Sequence, residues 1–209
     1  MSDDRQAGLQ IDPIPAETLR VPILGTAPLI VHRFADKAKR QMLDAMQGRK
    51  SPKEPKNPEQ EYEAAFYRLK DGAAGFPVIA FKQATIGAAR FYGKDITMIA
   101  LKQYLFFRGE IGSDGQQLAR LDGEPRMRED VVRVGRGGSG ADLRYRPEFL
   151  EWTTALEVVF VKSVITRGSV LSLIDAGGMG VGVGEWRPEK DGAFGTYRVD
   201  PTRDVEVIS

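Results

Sequence analysis

Apolar and polar residues alternate across 18–26 (TLRVPILGT), which predicts a strand. Pro22 within it predicts an edge position or an irregularity, because proline has no N–H to give a ladder. The period then changes. Ala35, Ala38, Met42 and Met46 recur at helical spacing with Lys37, Lys39 and Arg40 between them, predicting a short amphipathic helix over 35–46. Residues 48–60 (GRKSPKEPKNPEQ) hold three prolines, several lysines and no apolar anchor, the composition of a mobile loop. Asn57-Pro58, followed by Glu59 and Glu61, supplies a cap, a first-turn proline and an acidic first turn. Tyr62, Ala65, Phe66 and Leu69 continue as an apolar stripe, so a helix is predicted over 58–70, stopped by Asp71-Gly72.

Beyond Pro77, the small residues Ala84, Gly87, Ala88 and Ala89 suit a helix over 81–92 that lies close on a sheet. Strands are predicted at 103–109, 117–121 and 127–134, with turns at Ser113-Asp114-Gly115 and Asp122-Gly123. A glycine-rich patch at 135–140 (GRGGSG) precedes one long strand over 150–161. A helix over 169–176 turns Val170, Leu173 and Ile174 inward and takes Gly177 as its C-cap; a strand over 194–199 closes the chain. This order fits an α+β class with a modified ferredoxin-like (RRM-like) β-α-β-β-α-β core. Its insertions fall between the first strand and first helix and between the middle strands. The expectation is one domain over 1–209, with a disordered N-terminal tail to about residue 16 and a basic helical insertion at about 32–70.

Composition narrows the chemistry. The chain has 209 residues, 42% of them hydrophobic, enough for one large domain. Thirty basic against 29 acidic residues leave a net charge of +1, so any polyanion signal is local. No cysteine is present, which removes disulfides and thiolate sites, and a single histidine speaks against a protein-built metal centre. No cofactor is expected. The acidic, polar start MSDDRQAGLQ is unlike a targeting peptide, and no apolar run approaches the roughly 20 residues that span a bilayer. The expectation is a cytoplasmic protein of a bacterial host cell with no membrane partner.

Three stretches carry candidate chemistry. Residues 176–200 (AGGMGVGVGEWRPEKDGAFGTYRVD) hold seven glycines, yet neither the G-x-G-x-x-G nor the P-loop register. Glycine costs roughly 0.5–1 kcal/mol against alanine in a regular element, so the run needs a return. Either it is a hairpin with Trp186 packed on the core and Arg187 at the surface, or its N–H groups, Arg187 and Lys190 bind phosphate while Trp186 stacks on a base. Residues 120–146 carry seven arginines and no lysine, which fits bidentate phosphate contacts or surface ion pairing equally. The basic stretch 32–56 (His32, Arg33, Lys37, Lys39, Arg40, Arg49, Lys50, Lys53, Lys56) is either an electrostatic flap over a polyanion or a solvated insertion. Asp36 and His32, one helical turn apart, are the one acid-base pair that the sequence offers.

Two of these stretches together resemble a known family. Residues 77–90 (PVIAFKQATIGAAR) and the closing 178–199, with Gly182, Gly184, Arg187, Gly192, Phe194 and Gly195, are similar to motifs of the RAMP superfamily. That superfamily contains the backbone subunits of CRISPR effector complexes. The resemblance implies a modified ferredoxin-like core and a non-enzymatic protein that binds single-stranded DNA or RNA and self-associates as a homo-oligomer or filament. It points to a stand-alone relative carried by a phage or prophage. The residues implied to contact nucleic acid are His32, Arg33, Lys37, Lys82, Arg90, Arg128, Arg133, Gly182, Gly184, Trp186, Arg187, Lys190 and Phe194. Two further readings stay open: an accessory or inhibitor protein acting through protein-protein contact, and a metal-dependent ribonuclease using Asp36.

Overall fold

The computed structural model describes residues 10–34, 36–49, 55–134 and 140–208. Its elements run β1 (Ala16–Gly25), β2 (Leu29–Ile30), α1 (Asp36–Met46), α2 (Pro58–Ala64), β3 (Tyr67–Arg68), β4 (Ala74–Pro77) and α3 (Val78–Gly87), which continues as a 3₁₀ turn, Ala88–Tyr92. They continue with α4 (Met98–Tyr104), β5 (Leu105–Arg108), β6 (Glu110–Ile111), β7 (Gln117–Arg120), β8 (Pro125–Val134) and β9 (Gly140–Phe149). Then come β10 (Thr153–Val161), α5 (Arg167–Gly180), a 3₁₀ turn Pro188–Lys190, β11 (Tyr197–Val199) and β12 (Glu206–Val207).

The alternation in β1 buries Leu19, Val21 and Ile23 on one face. That face meets Leu156, Val158 and Phe160 of β10 and Leu105 and Phe107 of β5, and α3 and α5 cover it with Phe81, Ala84, Val170, Leu173 and Ile174. The main sheet has the order β11-β1-β10-β5, with β12 also beside β1, and every pairing is antiparallel. The chain follows β1, α3, β5, β10, α5, β11, so both helices lie in crossovers over one face. The class is mixed α+β with antiparallel sheets. Two insertions build smaller sheets: β3-β4-β7-β6, and β2-β9-β8 around a hairpin of two ten-residue strands.

The structure corrects several expectations. β1 is interior, with β10 on one side and β11 and β12 on the other, so of the two readings of Pro22 the irregularity holds and the edge does not: Asp200 donates its N–H to the carbonyl of Pro22 at the gap between β11 and β12. The proline nitrogen faces that gap, where no ladder bond is required. Asn57 does cap α2, accepting from the N–H of Gln60 at 3.1 Å. The helix, however, stops at Ala64 rather than 70. Tyr67 and Arg68 pair with β4 instead, and Asp71-Gly72 turns that hairpin, with Gly72 at φ 88°. The stretch predicted as a strand from 103 begins as the end of α4, whose start Thr97 caps by accepting from Ala100. The long strand predicted over 150–161 begins at Thr153, after a turn in which the indole N–H of buried Trp152 donates to the carbonyl of Ala27. β9 was not anticipated. Of the predicted N-terminal tail, residues 1–9 lie outside the described residues, and 10–15 are exposed without regular structure. The patch at 135–139 also lies outside the described residues.

Gly177 does not end the last helix. α5 runs on to Gly180, and a Cβ at Gly177 would stand 2.7 Å from the carbonyl carbon and oxygen of Ala84 in α3. One turn of each helix therefore meets the other backbone to backbone. Gly177→Ala is expected to destabilise the fold by about 1–3 kcal/mol through overpacking. Gly168→Ala, in the exposed first turn of the same helix with no atom within 4 Å of the added Cβ, is expected to shift stability by at most about 1 kcal/mol, toward greater stability. Urea unfolding of the two variants measures both, and equal effects would refute the backbone contact.

Candidate nucleic-acid interface

The close approach of α3 and α5 leaves the chain after α5 beside the end of α3. Between them lies a cleft of about 510 Å³. Its apolar floor is made by Phe76, Ile86, Val181 and Val183, and His32, Arg90, Lys102, Gly182, Gly184 and Arg187 stand among the groups around it. Residues predicted from three distant segments thus converge on one site.

The glycines of the loop answer first to the chain itself. At Gly184 (φ 78°) an added Cβ would lie 2.6 Å from the carbonyl oxygen of Ile30. At Gly182 it would lie 2.7 Å from the proline ring of Pro188. The loop folds back through the N–H of Val183, which donates to Gly195 at 2.9 Å, and the N–H of Phe194, which donates to Trp186 at 3.0 Å.

The two sides of this loop differ. Glu185, Arg187 and Glu189 line the cleft. Trp186, held at φ 52°, lies against Phe194 with ring centroids 5.9 Å apart. The Arg128 guanidinium sits 5.2 Å from the Trp186 ring and 5.1 Å from Phe194, and that of Arg146 sits 5.5 Å from Trp186. Below these rings runs a chain of ion pairs. Arg146, 1% exposed, donates to Asp130 at 2.5 Å and to Glu185 at 3.4 Å. Arg128 donates to Asp130 at 2.9 Å and to Glu148 at 2.8 Å, and Arg126 donates to Glu148 at 2.7 Å. Glu185 joins this network to the cleft, with its other oxygen 3.5 Å from Nδ1 of His32. The hydrogen bond with His32, aided by the positive charges of Arg146 and Arg144, holds the Glu185 carboxyl below the usual range against the opposing effect of burial.

The other predicted contacts scatter. Lys82 lies on α3 with its ammonium 5.2 Å from the Phe106 ring. Arg33 pairs with Asp114 at 3.3 Å. Arg133 is exposed on β8 and Lys190 on the 3₁₀ turn. The side chains of Lys37 and Asp36, and all of Lys50 and Lys53, lie outside the described residues. For the arginine-only stretch, the structure displays extensive ion pairing, including Arg120 with Asp71 at 2.8 Å and with Glu110 at 3.0 Å. Sequence reasoning missed Lys102, Glu185, Glu189 and buried Arg146. The spacing of Arg187 and Glu189 in WRPEK was the available signal for one of them. Among the described residues no group of three His, Asp or Glu side chains is arranged to hold a metal, and no helix is long and apolar enough to cross a membrane.

No family model and no curated protein matches the sequence. Solved structures do resemble the fold. The crystal structure of Cmr6 from Pyrococcus furiosus aligns with a TM-score of 0.47 and 9% identity over 90% of this chain and 100% of its own. A chain of the cryo-EM structure of the type III-B Cmr-beta complex bound to cognate target RNA aligns with a TM-score of 0.50, again at 9% identity. That alignment covers 93% of this chain and 61% of the other, and the likeness is one of fold.

Two outcomes test the ion network. Arg146→Met leaves Asp130 with one cation fewer and is expected to cost about 3–5 kcal/mol in urea unfolding, the scale for breaking a buried pair from one side. A loss under 1 kcal/mol would show the network to be energetically idle. Glu185, with its folded value lowered from 4.5, contributes stability that is present above its unfolded pKa and lost as pH falls through the folded one. The stability gap between wild type and Glu185→Gln should therefore shrink as pH is lowered through about 4.5 and below. A gap independent of pH across that window counts against the His32 contact.

Proposed function

We propose that this chain is a single-stranded RNA-binding protein with a RAMP-like, modified ferredoxin-like core, holding the strand rather than cutting it. The observation that carries the reading is the convergence of His32, Arg90, Lys102 and Arg187 on one cleft with an apolar floor. Such a floor takes the face of an unpaired base while cations on the rim take phosphate oxygens, the division of labour in single-strand recognition. The fold supports it. A path of β-α-β-β-α-β with antiparallel strands in the order β11-β1-β10-β5 is the ferredoxin-like arrangement, and one chain of the Cmr-beta complex bound to target RNA has a similar fold. Association of copies along the strand, in head-to-tail fashion, belongs to the same reading. A protein partner is a second component, favoured by α1, which leaves Met42, Leu43 and Met46 exposed.

A labelled single-stranded RNA titrated at several salt concentrations should bind with log K falling linearly in log salt, by about 0.7 per phosphate neutralised. Arg187→Gln combined with Lys102→Gln should weaken binding about tenfold or more and flatten that slope. Duplex RNA, whose bases are stacked away, should bind more weakly. Absence of binding at low salt, or affinity untouched by the double substitution, refutes the proposal.

A further inference from the structure

Arg90 and Arg187 are 97 positions apart in the chain and meet at one carboxylate. Oε1 of Glu189 lies 3.3 Å from Nη2 of Arg90, and Oε2 lies 2.9 Å from Nη2 and 3.3 Å from Nε of Arg187. Each carboxylate oxygen thus serves a different guanidinium. The backbone that carries this carboxylate is also held in place: the N–H of Glu189 donates to the carbonyl of Val181 at 3.2 Å. Arg187 is fixed in turn, with Nη1 donating to the carbonyl of Gly184 at 3.2 Å. All three side chains line the cleft. The side chains of Arg187 and Glu189 are about 30% exposed and that of Arg90 57%, so the group is open to a ligand.

Two guanidinium groups that each hold one oxygen of a single anion match the two non-bridging oxygens of a phosphodiester. Resting on the RNA-binding reading above, we propose that Arg90 and Arg187 form a phosphodiester subsite at the wall of the cleft, and that Glu189 is its resident anion, displaced when the strand enters. The exchange is internal. A phosphate that takes over the arginines must first displace a tethered carboxylate, so this subsite adds less to affinity in the wild type than two unpaired arginines would. Glu189 sets affinity by competition. It keeps the arginines ordered and the cleft closed to weakly held anions, and it yields to a strand anchored at several other points.

The test is Glu189→Gln, which keeps the side-chain shape and removes the charge. With the full-length protein and a labelled single-stranded RNA, binding at low salt should tighten by about five- to tenfold. Glu189→Ala should shift binding in the same direction. The gain should vanish when Arg90→Gln and Arg187→Gln are added, and melting curves show whether each variant is folded. Wild-type binding with no tightening in folded Glu189→Gln, or weaker binding in it, overturns the resident-anion role and leaves the RNA-binding reading standing. A gain that survives loss of both arginines also overturns it. If neither protein binds RNA at any salt concentration, both readings fall together.

Discussion

The contact on which the rest of the molecule depends is the seating of α5 against α3 at Gly177, where an added Cβ would strike the peptide of Ala84. Helices usually pack 8–10 Å apart, depending on the side chains between them. Here one of the two surfaces has no side chain at all. The consequence runs along the chain: Val181 comes against Gly87, at 3.1 Å from the position of a Cβ there. The loop after α5 is thereby set beside the 3₁₀ turn that carries Arg90. The cleft exists because its two walls are continuations of two helices that touch.

The second constraint is electrostatic. On the β8–β9 hairpin Arg128 stands directly opposite Arg146, a like-charge pair that on its own opposes strand pairing. Asp130 and Glu148, both nearly buried, make the arrangement tolerable by each taking bonds from two arginines. Burial of such a network contributes less to stability than an apolar core of the same volume. Its value lies in position. Arg128 and Arg146 hold Trp186 and Phe194 from beneath, and Arg146 reaches Glu185, so the loop is pinned to the hairpin on the side away from the cleft.

How far the sequence could be read follows from these same contacts. Alternation made β1 visible and a long apolar run made β10 visible, and the small residues of 84–89 announced a helix lying close on a sheet; Ala84 and Gly87 also bring that helix against α5 and Val181. Propensity failed where tertiary contact outweighed it. Gly177 looked like a stop signal, but its lost side chain is repaid by closeness to α3. The stripe through Phe66 and Leu69 looked helical, yet both residues are buried around a short hairpin. β9 escaped notice because its buried positions include Arg146 and Glu148, which invert the expected pattern of apolar inside and polar outside. Lys102 was hidden for a related reason. With 103–109 taken as a strand, no helix was expected to carry it to the cleft. The seven arginines of 120–146 were seen, but one-dimensional spacing does not tell a cation aimed at solvent from one committed to a carboxylate.

That distinction bears on the near-zero net charge. A chain with +1 overall has no long-range field with which to draw in a polyanion, and many of its arginines are already engaged with acids of the same chain. In the proposed RNA-binding role, recognition rests on cations whose partners are exchangeable and on shape. Arg146, 1% exposed and bonded to Asp130, cannot be offered to a ligand without dismantling the hairpin. Arg90 and Arg187 share one exposed carboxylate at the wall of a cleft, so they can change partner with little rearrangement of backbone. The burial of each ion pair, more than the number of cations, separates the arginines that build this site from those able to serve it.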